Sequence, residues 1–107
     1  MLEKTIRSKI LRYLNSLPQS DFVVSPPGTQ TGESDIKGCI AGRYICVEVK
    51  VPGKKPRPSQ RYRLNKLRKA GALVIVASSV DEVKGAIALE RYGEIHSVAS
   101  FALRGKP

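Results

Sequence analysis

Residues 34–51 read SDIKGCIAGRYICVEVKV, two β-prone runs on either side of Ala41-Gly42. Runs of this kind with a two-residue connection form a hairpin, and the turn sets its register. With Ala41-Gly42 as the turn, Ile40 faces Arg43 and Asp35 faces Glu48. Strand side chains alternate, so Ile45, Val47, Val49 and Val51 make a core face, while Tyr44, Cys46, Glu48 and Lys50 share the other. That second face carries the chemistry. Two carboxylates directly opposed across a hairpin destabilise it unless a cation relieves them. Carboxylates suit the hard ions Mg²⁺ or Mn²⁺, and Lys50 projects from the same face as Glu48. Asp35, Glu48 and Lys50 are what metal-assisted phosphodiester hydrolysis needs. A metal polarises a phosphate oxygen and lowers the pKa of water, and a lysine positions that water or stabilises the growing negative charge. A Glu-x-Lys by itself is most often a solvated pair; here the aspartate at hairpin spacing and the basic segment that follows add weight.

Downstream, the prolines of 52–58 (PGKKPRP) forbid a continuing central strand, and Ser59 is the expected N-cap of a helix from Gln60 to Ala70 that Gly71 ends. Nine Lys or Arg residues fall between Lys50 and Lys69, and no acid occurs from Val49 to Val80. One sign of charge without relief points to a phosphate-binding surface, the alternative being a face that serves only solubility. Lys54, Lys55 and Arg57 are expected on the loop, and Arg61, Arg63 and Lys66 on the helix. Gln60, in the first helical turn, is placed to hydrogen-bond a phosphate or a metal-bound water. Tyr62 is the one aromatic in this stretch; it can stack on a sugar or base, although core packing is the commoner fate. Next, 72–77 (ALVIVA) reads as a strand buried on both faces. Ser78 or Ser79 then caps a third helix running to about Arg91, and 94–107 is either a last strand or a tail packed on a partner.

Upstream, Met1 to Leu17 reads as a helix with Ile6, Ile10, Leu14 and Leu17 on one stripe, ended by Pro18. The same spacing carried back from Ile6 lands on Glu3, either an acid on the buried stripe that needs a reason or a residue of the frayed first turn, where negative charge suits the helix dipole. Asp21 to Val24 is a short strand, and 25–32 (SPPGTQTG) a loop. The expected order is helix, three strands, helix, strand, helix: an α/β domain with a mixed β-sheet flanked by helices.

A length of 107 residues accommodates one domain over 1–107. With 41% hydrophobic residues the chain can fold, and its formal charge of +10 favours a polyanion as partner. No apolar run is long enough to span a membrane, and the N-terminal segment lacks the pattern of a secretory leader, so a cytoplasmic location is expected. Cys39 and Cys46 lack zinc-finger spacing and are expected as packing thiols, diagonal neighbours about 7 to 8 Å apart. His96, the single histidine, has no acid at a spacing that makes a triad.

Taken in order, 32–35 (GESD), Gly42-Arg43, Glu48-Val49-Lys50, Gln60 and Gly71-Ala72 resemble the virus-type replication-repair nuclease family, VRR-NUC, of the PD-(D/E)xK superfamily. One departure is Ser34, where the family pattern has proline before the aspartate. The resemblance implies a restriction-endonuclease-like fold, with Glu3, Asp35, Glu48 and the Val49 carbonyl around Mg²⁺ or Mn²⁺, and Lys50 and Gln60 at the phosphate. It also implies a stand-alone phage or prophage enzyme, homodimeric, acting on branched DNA like a Holliday-junction resolvase. The alternatives are a basic nucleic-acid-binding module without turnover, or a nuclease of flaps, nicks or single strands. The apolar stretch around 98–103 is a candidate for the dimer contact.

Overall fold

The hairpin is built as its sequence dictates. Ala41 and Gly42 both have positive φ, 48° and 84°, the conformation of the tight turn whose twist matches that of the flanking strands. In the computed structural model, which describes residues 2–26 and 34–103 and side chains as far as Arg91, the hairpin strands are β2 (Ile36–Ile40) and β3 (Arg43–Val49). Their pairing runs from Ile40 opposite Arg43 to Ile36 opposite Val47, the register expected from the turn. The edge strand β1 (Ser20–Val24) adds antiparallel to β2, and β4 (Leu73–Ala77) adds parallel to β3. The sheet order is β1-β2-β3-β4.

Helix α1 (Glu3–Asn15) precedes the sheet, α2 (Pro58–Lys69) joins β3 to β4, and α3 (Val80–Leu103) follows β4. The observed order αβββαβα is the one expected. Ile6, Ile10 and Leu14 of α1 pack with Phe22, Ile36, Ile45, Val47, Val49 and Ile75 of the sheet and with Val83 and Ile87 of α3, forming one hydrophobic core. Asn15, at the end of α1, exchanges two hydrogen bonds with the backbone of Phe22 at 3.1 and 2.8 Å. That amide covers part of the outer edge of β1, which would otherwise offer unpaired backbone groups.

Four expectations are corrected. First, α2 starts two residues early. Its N-cap is Arg57, with Pro58 at the first position, where the missing N–H costs nothing; Ser59 lies inside the helix. Second, β4 is an edge strand. Val76 is 43% exposed, so the run 72–77 is not buried on both faces. Third, α3 continues past Arg91 to Leu103, so 94–103 is helix and not a strand. Its start is as expected: the Ser79 hydroxyl accepts from the Glu82 N–H at 3.1 Å, and the Glu82 carboxylate accepts from the Ser78 N–H at 2.7 Å. Fourth, Tyr62 is two-thirds exposed, at 66%, not packed in the core. The loop read at 25–32 falls mostly outside the described residues, as do residues 32 and 33 of the GESD run, the side chain of His96 and the side chains of 98–103.

Arg43 locks the opposite end of the sheet. It donates to Glu90 of α3 at 2.8 and 2.5 Å and to the carbonyl of Gly71, the positive-φ residue that ends α2. Cys39 is exposed and Cys46 buried, and neither forms a disulfide.

Candidate active site

Paired β2 and β3 part company at Asp35. In an antiparallel hairpin hydrogen-bonded and non-hydrogen-bonded pairs alternate, so one step beyond Ile36 and Val47 the side chains of Asp35 and Glu48 come close. The next ladder bond would join Val49 to Ser34. Instead the Ser34 carbonyl accepts from the Ser25 hydroxyl at 2.6 Å, and the Val49 N–H donates to Asp35 Oδ2 at 2.8 Å. A carboxylate thus closes the ladder, and this bond holds Asp35 against β3.

Glu48 is 1% exposed, and its Oε1 has no hydrogen-bond partner among the described residues. Lys50 Nζ stands 3.0 Å from Oε2 in a salt bridge that satisfies this one oxygen. The Lys50 backbone is tied down in turn, its N–H donating to Ala77 of β4 at 3.0 Å. Burial above all, and then the charge of Asp35, raise the Glu48 carboxyl from 4.5 to about 7, against the pull of Lys50; Glu3 adds to the rise. A buried carboxylate so poorly satisfied is costly, and it shows that Glu48 is not the solvated partner of a surface ion pair.

Glu3, Lys50, Val51, Lys54, Lys55 and Arg57 line one open cleft, so the first turn of α1 and the basic loop meet beside the hairpin acids. Arg7, one turn along α1 from Glu3, places a guanidinium nitrogen 3.9 Å from Asp35 Oδ1. This residue was missed in the sequence, although it lies four positions after Glu3 on the same side of the helix. Gln60 is buried, and its Oε1 accepts from the Arg57 N–H at 2.9 Å, fixing the start of α2. Its acceptor is therefore engaged in the helix cap, and only its amide N–H groups remain for a phosphate. Arg61 and Lys66 are exposed on α2 and Arg63 is half-buried; the three lie away from the cleft lining. A more apolar hollow between α1 and the start of α3, lined by Ile6, Pro52 and Val80, contains neither Asp35 nor Glu48.

The acids form a pair with an outlier. Among the described residues no three His, Cys, Asp or Glu side chains stand together closely enough to enclose a metal ion. Asp35 and Glu48 nonetheless suit a hard divalent cation, which is commonly held by one or two carboxylates with water completing its shell. The unpartnered Oε1 of Glu48 is the feature that such an ion would satisfy.

No family model matches the chain, and neither does any curated protein. Solved structures do. A chain named "VRR_NUC domain protein" superposes with a TM-score of 0.68 at 22% identity, covering 82% of this chain and 86% of its own. A second, named "VRR_NUC domain", gives a TM-score of 0.61 at 24% identity, covering 80% of this chain and 90% of its own. The fold is that of a VRR_NUC domain. The α/β order and the mixed sheet are thus those of the architecture that the sequence motifs resemble. No helix among the described residues is long and apolar enough to cross a membrane.

Proposed function

We propose that this protein is a member of the VRR-NUC family and a metal-dependent endonuclease that hydrolyses DNA phosphodiester bonds. The observation that carries the proposal is Glu48: buried, within the field of Asp35, met by Lys50 at 3.0 Å on one oxygen and left without a partner among the described residues on the other. A binding module without turnover has no use for such a carboxylate, whose burial lowers stability and whose charge repels phosphate. The likeness of fold to VRR_NUC domains supports the same reading.

In this reading Asp35, Glu48, Glu3 and the Val49 carbonyl are the groups that would hold Mg²⁺ or Mn²⁺. When bound, the ion supplies charge for a phosphate oxygen and acidifies water. The chain's own residues do the rest. Asp35, pinned by the Val49 N–H, keeps its second oxygen turned toward Arg7 and the site. Lys50 directs its ammonium to the attacking water or to the scissile phosphate, where negative charge grows. Gln60 donates from its amide to the same phosphate while holding α2 in register. Lys54, Lys55 and Arg57 take the adjoining backbone in the cleft, and Arg61, Arg63 and Lys66 extend the track along α2.

Branched DNA, cut by a homodimer with one site for each strand, is the substrate we assign, on the resemblance to junction-resolving members of the family. The test is cleavage of linear, flapped and four-way DNA by wild type and Asp35→Ala, with Mg²⁺, with Mn²⁺ and with chelator. Wild type cuts only with metal, and four-way DNA best; Asp35→Ala still binds and cuts nothing. Failure of the wild type to cut any of these with either ion overturns the enzyme reading. A monomeric mass at micromolar concentration with full activity overturns the homodimer.

A further inference from the structure

Helix α2 buries only Gln60 and Leu64 fully, and it leaves Tyr62 standing in solvent with 66% of its surface exposed. The ring is not bare: Lys66, one turn on, sets its ammonium 5.6 Å from the ring centroid. Arg61 and Lys69 are exposed on the same helix, and no acid lies between Val49 and Val80 to neutralise them. An exposed aromatic among cations, with one face partnered by a lysine, is a surface complementary to a nucleotide. The cations meet phosphates, and the ring meets a base face.

We infer that Tyr62 is a stacking platform for an unpaired nucleotide, giving α2 a preference for nucleic acid with a single-stranded segment over fully paired duplex. In a duplex each base face is covered by its neighbours, so a helix-borne tyrosine finds only sugar edges and the ring stays in water. An unpaired base has a free face, and stacking it removes both surfaces from water. An acidic protein would satisfy the lysines and arginines and leave the ring idle. The inference rests on the nuclease reading only in taking DNA as the partner. It narrows the substrate to DNA in which strands separate near the cut, as at a flap or a branch point.

The test is binding in chelator at fixed salt, so that no strand is cut. Fluorescence anisotropy compares a thymidine oligomer, an abasic oligomer of the same length and a blunt hairpin duplex on wild type, Tyr62→Ala and Tyr62→Phe. Wild type binds the thymidine oligomer more tightly than the abasic one. Tyr62→Ala loses about tenfold on the thymidine oligomer and less than about twofold on the other two, while Tyr62→Phe stays within about threefold of wild type. An unchanged affinity of Tyr62→Ala for the thymidine oligomer overturns the inference, and so does an equal loss on all three. Poly-glutamate that binds as tightly as the oligomer, and depends on Tyr62 as strongly, assigns the face to an acidic protein instead. Cleavage of flapped and four-way DNA with Mn²⁺, measured separately on wild type, tells failure of this platform from failure of the nuclease reading.

Discussion

Glu48 concentrates the tension of the molecule in one side chain. Its carboxyl is raised to about 7 by burial and by Asp35, so between about 4.5 and 7 the folded chain binds a proton more tightly than the unfolded chain. Stability from this group is therefore fullest below about pH 4.5, falls as pH rises through about 7, and is level above that. In chelator, Glu48→Gln is expected to flatten that fall and to be the more stable protein at pH 8 by up to about 3 kcal/mol, because a neutral amide carries no buried charge. Urea melts at pH 5 and pH 8 measure both effects. A divalent ion should reverse the order, raising the stability of wild type at pH 8 and leaving Glu48→Gln unmoved. A variant less stable than wild type at pH 8 in chelator would show that Lys50 and solvent already satisfy the carboxylate.

At the scale of elements, what the sequence revealed is what its local chemistry determines. The two-residue turn at Ala41-Gly42 sets the hairpin register, and alternation then brings Asp35 beside Glu48. The stripe of α1 was legible for the same reason, since Ile6, Ile10 and Leu14 recur with the helical period. The start of α2 was not, because Arg57 is an N-cap without a capping side chain, and the cap bond comes backward from Gln60. The exposure of β4 at Val76 was not legible either: an apolar run looks the same at the edge of a sheet as at its centre, and only the strand order decides. Gly38 escaped notice as well. A Cβ at Gly38 would stand 2.0 Å from the Asp21 carbonyl oxygen and 2.7 Å from the Phe22 ring on the neighbouring strand. Gly38→Ala must therefore push β1 away from β2, and Phe22 sits in the core. The expected loss is about 3 kcal/mol, read as a lowered urea midpoint. A change below about 0.5 kcal/mol would mean that β1 shifts freely on the sheet.

For the whole molecule the formal charge of +10 is unevenly spent, since nine of the nineteen positive residues lie between Lys50 and Lys69. Three of them, Lys54, Lys55 and Arg57, line the same cleft as Glu3 and Lys50. Each phosphate contact contributes about 0.9 to the slope of log affinity against log salt, so Lys54→Ala with Lys55→Ala should flatten that slope by about 2. The acids act in the opposite sense. Without metal, Asp35, Glu48 and Glu3 set negative charge at the end of a positive track, and a phosphate entering the cleft meets both. A divalent ion on the acids removes this opposition. At constant ionic strength, Ca²⁺ should therefore raise the DNA affinity of wild type, by about tenfold if the local change is about 1.4 kcal/mol. Asp35→Ala should bind DNA more tightly than wild type in chelator and gain nothing from Ca²⁺. Anisotropy titrations with and without the ion measure both. Ordinary competition for phosphate predicts the reverse sign, a divalent ion weakening every variant alike, so the direction of the wild-type response decides whether the acids and the basic track work as one site.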